Sequence, residues 1–263
     1  MRSCVRSRRR SASSTSRVPP TALQDSPPRF SVIIPARDEE RRIGACLASI
    51  EAACASGEYS TETIVVLNRC SDGTERIARA AGARTIEAGG KNLSAIRNAG
   101  ALAARGDILV TIDADSIMAP NTLAEIDRLL RSGSFIGGGA MIHPERMSLG
   151  IAMTGLLLCY LALRYRVSAG LFWLPREAFE AIGGFDESLV SVEDIDFAVR
   201  LKRYGRERGK RFGTLWNAPI TTSCRKFDHF GDWFVLKKLA LARDLLSGRD
   251  QRAANEFFYD FPR

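Results

Sequence analysis

Two acidic clusters in this 263-residue chain have the residue types and spacing to do chemistry. The first is Asp113 and Asp115 in "ILVTIDADSIMAP", where an apolar run ends in two carboxylates one residue apart. Residues i and i+2 of a strand project to one face, so the pair would aim together if the strand ran through it. Like charges that close repel unless a cation or a shared proton lies between them. A hard divalent ion, Mg²⁺ or Mn²⁺, is the economical partner, because it takes carboxylate oxygens and bridges to a substrate's phosphates. A plainer reading has equal standing on the pair alone: Asp115 caps the turn before Pro120, and Asp113 accepts backbone hydrogen bonds. The position at the end of a strand favours the metal.

The second cluster lies in "GGFDESLVSVEDIDFAVRLKRYG", with Asp186, Glu187, Glu193, Asp194 and Asp196. Ser191 followed by Asp194 has capping-box spacing, with Val192, Ile195 and Val199 as the expected buried stripe. Asp196 and Arg200 form an i, i+4 pair suited to a solvated face. Capping accounts for Asp194 but not for three acids crowding one turn. A carboxylate at a helix N-terminus has its charged form favoured, which suits a general base that takes a proton from a hydroxyl.

These clusters need a frame, and the pattern from Arg29 onward supplies one. "FSVIIP", "ETIVVL", "RTIEA" and "DILVTI" read as strands, separated by helical patterns in "EERRIGACLASI", "TERIARAAG" and "LSAIRNAGALAARG". A further helix starts at Pro120 and runs through "NTLAEIDRLLRSG". Such alternation implies an α/β fold with a mainly parallel sheet flanked by helices, and ligands then sit beyond the carboxyl ends of the strands. Polar groups do follow the strands: "PARDEE", "NRCSDGT", "GGKNLSAIRNAG" and "DADS". Beyond Ser134 come a β run "FIGGGAMI", an apolar stretch, a strand "AGLFWL" and a helix "PREAFEAIG". The expected organisation is a basic tail over 1–29, a ligand-binding half over 30–132, a second, acceptor-type half over 133–247, and a C-terminal tail over 248–263.

Net charge is +8, and seven arginines against one acid in residues 1–29 carry most of it, leaving +2 for the rest. That Ser, Arg and Pro-rich tail has too few large apolar residues to offset ordering entropy, so disorder is expected, as a solvated arm rather than a nucleic-acid binder. Six cysteines show no C-x-x-C pair, and two histidines are too few for a Cys/His zinc site, which points to reduced thiols in the cytoplasm. The longest apolar run, Leu149 to Leu163, falls short of the roughly 20 residues that span a bilayer. A buried or interfacial helix is expected there, with at most peripheral membrane contact.

Taken in order, "SVIIPARDEE", "VLNRCSDGT", "SAIRNAG", "TIDADS" and "GGFDESLVSVEDIDFAVR" resemble the motifs of a family 2 glycosyltransferase with a GT-A fold, over Phe30 to about Leu246. The resemblance implies a metal-dependent, inverting, hexosyltransferase-like enzyme that moves a sugar from a nucleoside-diphosphate sugar to a hydroxyl acceptor of lipid-linked or glycan type. Pro35, Ala36, Arg37 and Glu39 would hold the nucleotide. Asn68 stands where the family usually has an aspartate that meets the base. Asp72, Gly73 and Thr74 would form a turn with a structural role at least equal to any ligand contact. Ser94, Arg97 and Asn98 would face the donor, with Arg97 on a phosphate or on Asp113. Asp113 and Asp115 would form the metal-binding D-x-D pair, and Asp194 would be the catalytic base. The Q-x-x-R-W motif and membrane helices of processive synthases are missing, which implies a non-processive enzyme. In "TTSCRKFDHFGDW", Ser223, Arg225 and Lys226 lie where related enzymes hold a loop over the diphosphate, and Arg225 suits phosphate. His229 is a surface histidine or a third metal ligand, and His143 is structural or on an acceptor loop. A haloacid-dehalogenase-like phosphatase would want its Asp-x-Asp after the first strand. A nucleotide-sugar-binding protein without transfer activity is the remaining alternative.

Overall fold

A computed structural model describes residues 27–233 apart from 91, 169, 190 and 191. The elements in chain order are β1 (Phe30–Ala36), α1 (Ile43–Ala55), β2 (Thr61–Leu67), α2 (Thr74–Ala80), β3 (Arg84–Glu87), α3 (Leu93–Ala103), β4 (Ile108–Ile112), β5 (Ser116–Ile117), α4 (Thr122–Arg131), β6 (Phe135–Pro144), α5 (Leu149–Tyr165), β7 (Leu171–Pro175), α6 (Arg176–Ala181), α7 (Glu193–Arg206), β8 (Arg211–Thr222) and α8 (Arg225–Phe230). The strands form one eight-stranded sheet in the order β3-β2-β1-β4-β7-β6-β8-β5. β1, β2, β3 and β4 pair in parallel, as do β6 and β8, whereas β7 runs antiparallel to both β4 and β6. The expected α/β fold with flanking helices is thus present, and its sheet continues across the expected boundary at residue 133.

Alternate residues of the central strands feed two cores. Val32 and Ile34 of β1, Val65 of β2 and Val110 of β4 pack with Ile43, Ile50, Leu123 and Ile126 from α1 and α4. Ile33, Ile64, Val66 and Leu109 face the other way, toward α3, α6 and α7. Strands buried on both faces explain why "FSVIIP" and "ETIVVL" read as continuous apolar runs.

Several local expectations are corrected. Pro120 lies before the N-cap Asn121 rather than in the first turn of α4. Arg29, assigned to the tail, is part of the fold, donating to Asp127 at 2.8 Å. The rest of that tail, Ser191, and the chain from 234 onward, with the C-terminal tail, lie outside the described residues. On α7 the buried face is Glu193, Phe197, Ala198, Leu201 and Gly205, whereas Ile195 and Val199 are exposed. The helix starts at Glu193 after a left-handed Val192, and this rotates the stripe away from the one expected. Among the described residues, Cys46, Cys54, Cys70, Cys159 and Cys224 are free thiols, and no helix is long and apolar enough to cross a membrane.

The helix that matters most for the site is α3, whose buried face is Ser94, Ile96, Arg97, Gly100 and Ala101. A Cβ on Gly100 would run into Cγ2 of Ile33 and come within 2.9 Å of Cγ2 of Val66. Both side chains are fixed in the core, so only glycine lets α3 lie this close to β1 and β2. Gly100→Ala is expected to destabilise the fold by about 1–3 kcal/mol through overpacking, although alanine favours helix by about 1 kcal/mol in isolation. A lower urea midpoint at unchanged slope is the readout.

Candidate active site

β4 ends at Ile112, so Asp113 and Asp115 sit on the turn beyond it, where Ser116 N–H donates to the Asp113 carbonyl. The two carboxylates do not share one partner. Asp113 Oδ1 accepts from Arg97 Nη2 at 3.0 Å, and Asp115 Oδ2 accepts from Ser223 Oγ at 2.7 Å and Arg225 Nη2 at 3.2 Å. β8 brings the second group there, since Thr222 pairs with Ser116 across the β5–β8 ladder.

Arg97 is 3% exposed and meets three acids: Asp113, Asp194 at 2.5 Å and Glu193 at 3.7 Å. Its guanidinium also lies 5.2 Å over the ring of Phe185. That ring belongs to an aromatic cluster in which Phe185 and Phe197 stack at 4.0 Å. Burial works against the charge on Arg97, but Asp194, Asp113 and Glu193 outweigh it and raise its pKa. Asp113 opens to solvent through the cleft yet is crowded by protein. Desolvation raises its carboxyl pKa, Arg97 pulls it down, and Asp115 and Asp194 push it up again. Glu193 is pushed up to about 7, first by burial and then by the adjacent Asp194, against the pull of Arg97.

The loop after β1 forms the other wall. Glu39 is buried, and its two carboxylate oxygens accept from Arg225 Nη1 and Nη2, each at 3.0 Å. Asp38, at φ +50°, accepts from Ser71 N–H, while Asp72 accepts from the N–H groups of Glu40 and Thr74. Glu40 returns the link by accepting from Gly73 N–H at 2.9 Å. Asp72, Gly73 and Thr74 therefore tie two loops together, as the turn chemistry suggests. The cleft between these loops holds about 530 Å³ and is lined by Arg37, Asp38, Glu39, Arg42, Ser71 and Arg225 among others.

Other expected donor residues take positioning roles in these contacts. Pro35 and Ala36 are buried in β1, and the Ala36 carbonyl accepts from Asn68 N–H at 2.8 Å. The Asn68 amide donates to the carbonyls of Ala88 and Gly90, each at 2.8 Å, and so shapes the β3–α3 loop. Asn98 accepts from Phe185 N–H and donates to the Phe185 carbonyl and to Glu187, which clamps the loop before α7. Gly184 turns that loop at φ +67°, and a Cβ there would come within 2.7 Å of Asn98 Oδ1. Arg200 also grips the loop, donating to the carbonyls of Ile182 and Gly184 as well as to Asp196. Its pair with Asp196 is thus more than a solvated contact. The Ser94 hydroxyl is buried without a hydrogen-bond partner among the described residues. His229 is exposed, with its ring edge against Phe230.

Asp194 is the second residue of α7, in its first turn, and not its N-cap: that is Val192, which makes no side-chain cap bond and holds φ +58°, an unfavourable conformation for a β-branched residue. Glu193, grouped with the acids in sequence but given no role, proves to be the third carboxylate on Arg97. Its signal was burial on the i, i+4, i+8 face with Phe197 and Leu201.

Residues 31–145 match the family described as Glycosyl transferase family 2. The matched stretch runs from β1 through β6 and includes Asp113 and Asp115. The uncharacterized protein y4gI of Sinorhizobium fredii is 30% identical over 210 residues, which cover 68% of this chain and 23% of that protein. Residues 1–349 of S. aureus TarS, in complex with UDP-GlcNAc, match with a TM-score of 0.59 at 15% identity over 89% of this chain and 71% of that one. The mannosyltransferase PcManGT of Pyrobaculum calidifontis, in complex with GDP-Man and Mn²⁺, matches with a TM-score of 0.57 at 21% identity over 75% of this chain and 57% of that one. The fold is therefore of the GT-A type. The chain spans only 23% of the length of its curated relative.

The buried Glu193 gives a pH test. Its carboxyl ionises at its ordinary value of 4.5 in the unfolded chain but near 7 in the fold, so the folded state binds the extra proton between those limits. Stability then falls as pH rises from the first value to the second. Glu193→Gln removes that loss and should be about 2 kcal/mol more stable than wild type at pH 8, with no difference near pH 4. Urea unfolding at the two pH values measures it, and an equal effect at both would assign the gain to packing instead.

Proposed function

We propose that the chain transfers a sugar from a nucleoside-diphosphate sugar to a hydroxyl acceptor, by a non-processive, inverting single displacement that needs a divalent metal. One observation carries this reading: Asp113 and Asp194, on different elements and far apart in sequence, bind the same buried guanidinium. A shared guanidinium of this kind would suit a D-x-D aspartate and a base that act on one bound donor and acceptor.

The residues suit a metal. Magnesium is commonly held by one or two carboxylates, with substrate phosphates and water completing the shell. Asp113 and Asp115 supply those carboxylates, and no cluster of three or more His, Cys, Asp or Glu that could hold a metal exists among the described residues. The remaining ligands would have to come from the donor diphosphate, which makes metal and donor binding interdependent. Mg²⁺ or Mn²⁺ bound there would neutralise the departing diphosphate.

The chain's own groups do the rest. Arg37 and Arg225 line the cleft as cations for phosphate, and Arg225 is close enough to Asp115 to join diphosphate to metal site. The acceptor oxygen forms its bond to the anomeric carbon as the bond to the diphosphate oxygen breaks. Asp194 takes the hydroxyl proton, and Arg97 keeps that carboxylate aimed while anchoring Asp113. A binding module without transfer activity would have no need of Asp194 beside Arg97.

Asp194→Asn is expected to lower kcat by about 10² to 10⁴, the usual weight of a general base, with donor affinity retained. Asp115→Asn should weaken donor and metal together. Release of nucleoside diphosphate across a donor panel, with Mn²⁺ and with chelator, reads both. Transfer within a few-fold of wild type in Asp194→Asn would remove the base assignment, and the absence of metal-dependent release for every donor would leave a binding protein.

A further inference from the structure

α5 is the part of the fold that the catalytic reading does not use. It has seventeen residues, "LGIAMTGLLLCYLALRY", and carries no charge until Arg164. Leu149, Met153, Leu156, Tyr160 and Leu163 follow the i, i+4, i+7, i+11, i+14 spacing of a single stripe, and all are exposed, Leu156 at 65% and Leu163 at 60%. Ile151 and Thr154 are buried, but most of the helix surface faces outward. A helix that is apolar nearly all round ordinarily lies inside a protein or a bilayer. At 1.5 Å per residue this one is about 25 Å long, shorter than the roughly 30 Å hydrocarbon core. The apolar surface continues past the end of α5 into a groove of about 650 Å³, which includes Phe135, Met141, Phe212 and the exposed Trp216.

The C-terminal end of this helix is cationic. Arg164, Arg166 and Arg206 make no ion pair among the described residues, and Lys202 donates to the Tyr165 carbonyl at 2.5 Å. After burial, the charges of Arg166 and Arg206 are what push the Lys202 ammonium down from its ordinary value. Lys202, Arg166 and Arg206 thus crowd one spot beside an exposed apolar helix, with Arg164 in the last turn of that helix. We propose that α5 is a membrane-docking helix, lying in the interface of an anionic bilayer with its leucines among the acyl chains and Arg164, Arg166, Lys202 and Arg206 on the headgroups.

The placement relative to the site gives this docking a purpose. β6 leads into α5 from Pro144, which is paired with Thr222, the partner of Ser116 next to Asp115. β7 takes the chain back at Leu171, which is paired with Ile112 next to Asp113. The excursion therefore begins and ends at the edge that carries the two aspartates. A bilayer seated on it brings a membrane-anchored hydroxyl to that edge, a consequence that rests on the transferase reading above.

Two other occupants are possible in principle. Arg146 binds Asp228 and Asp232, and the Asp232 carbonyl packs on Gly150, so residues 234–263 leave the described chain at the foot of α5. A second copy of the chain could also meet the leucine stripe. The test is sedimentation of the full chain with vesicles of 70:30 phosphatidylcholine and phosphatidylglycerol, against phosphatidylcholine alone. Wild type should partition at least tenfold better onto the anionic vesicles and lose most of that advantage in high salt. Leu156→Asp with Leu163→Asp should reduce partitioning by about tenfold or more, and Arg166→Ala with Arg206→Ala by about fivefold for each charge removed. Leu102→Asp, at an isolated exposed leucine on α3, should change nothing.

Wild type that stays in the supernatant with anionic vesicles overturns the proposal. So does light scattering that finds a dimer dissolved by the leucine variant, which would assign the stripe to a second copy. A large fall in Tm of the leucine variant, with no vesicle binding by wild type, would assign it to residues 234–263. Should the leucine variant not fold, the arginine variant and the salt dependence still decide. Metal-dependent release of nucleoside diphosphate, measured without vesicles, is expected to be unchanged in the α5 variants. Its absence in wild type would remove the transferase reading without touching the vesicle result.

Discussion

The guanidinium of Arg97 has almost no contact with water, and a buried charge persists only where partners replace its hydration. Here three carboxylates and an aromatic face do so, brought by three segments: Asp113 from the turn after β4, Glu193 and Asp194 from α7, and Phe185 from the loop before it. Removing Arg97 from such a set costs about 3–5 kcal/mol, because the carboxylates left behind lose their only counter-charge in the cluster. The net worth of the ions is smaller, so the cluster is better seen as a specifier of geometry than as a source of stability. Arginine is suited to it, since its planar fork addresses two carboxylates at fixed angles and lysine could not.

That requirement reaches back into the core. Arg97 can lie under the sheet's carboxyl edge only if α3 is seated deeply, and Gly100, one helical turn later, permits the seating against Ile33 and Val66. It also constrains the loop at 183–187, where Asn98 from the next position on α3 holds the backbone of Phe185 and Arg200 from α7 holds its start. One helix thus sets the D-x-D turn on one side and the acidic helix on the other. The strained Val192, immediately before Glu193, belongs to the same constraint: α7 must begin abruptly if both of its first two acids are to reach one guanidinium.

Much of this frame was legible in the sequence. "FSVIIP", "ETIVVL" and "DILVTI" declared themselves because strands buried on both faces need unbroken β-branched runs, and the polar residues that follow them mark the ligand edge. The D-x-D pair stood out as acid at the end of an apolar run, and Asp194 as one of three acids crowding a single turn. What stayed hidden depended on partners distant in sequence. An asparagine in "SAIRNAG" looks alike whether its amide meets a ligand or the backbone of Phe185, eighty-seven residues on. The stripe of α7 was misread because nothing local announces a left-handed valine. β5 has two residues and no period to detect. Arg97 itself had a signal in the small residues around it, Ser94, Gly100 and Ala101, since a lone arginine on a helix face otherwise built for close packing has to be buried.

The division of the two aspartates between two arginines has a mechanical meaning. Asp113 is tied to Arg97, which moves only if α3 leaves its bed against β1 and β2. Asp115 is tied to Ser223 and Arg225, two residues of one short segment that follows β8. A change of partners at Asp113 would require repacking of the core, whereas at Asp115 it requires displacement of that segment alone. Arg225 binds Glu39 as well, so the same displacement uncouples the loop after β1 from the aspartate. The pair therefore combines a carboxylate held from the core with one held by the segment that follows β8. Separate anchors serve that division better than a common one, because a rigid site for two like charges would have to be built around the cation, and this one is held open by arginines the fold already carries.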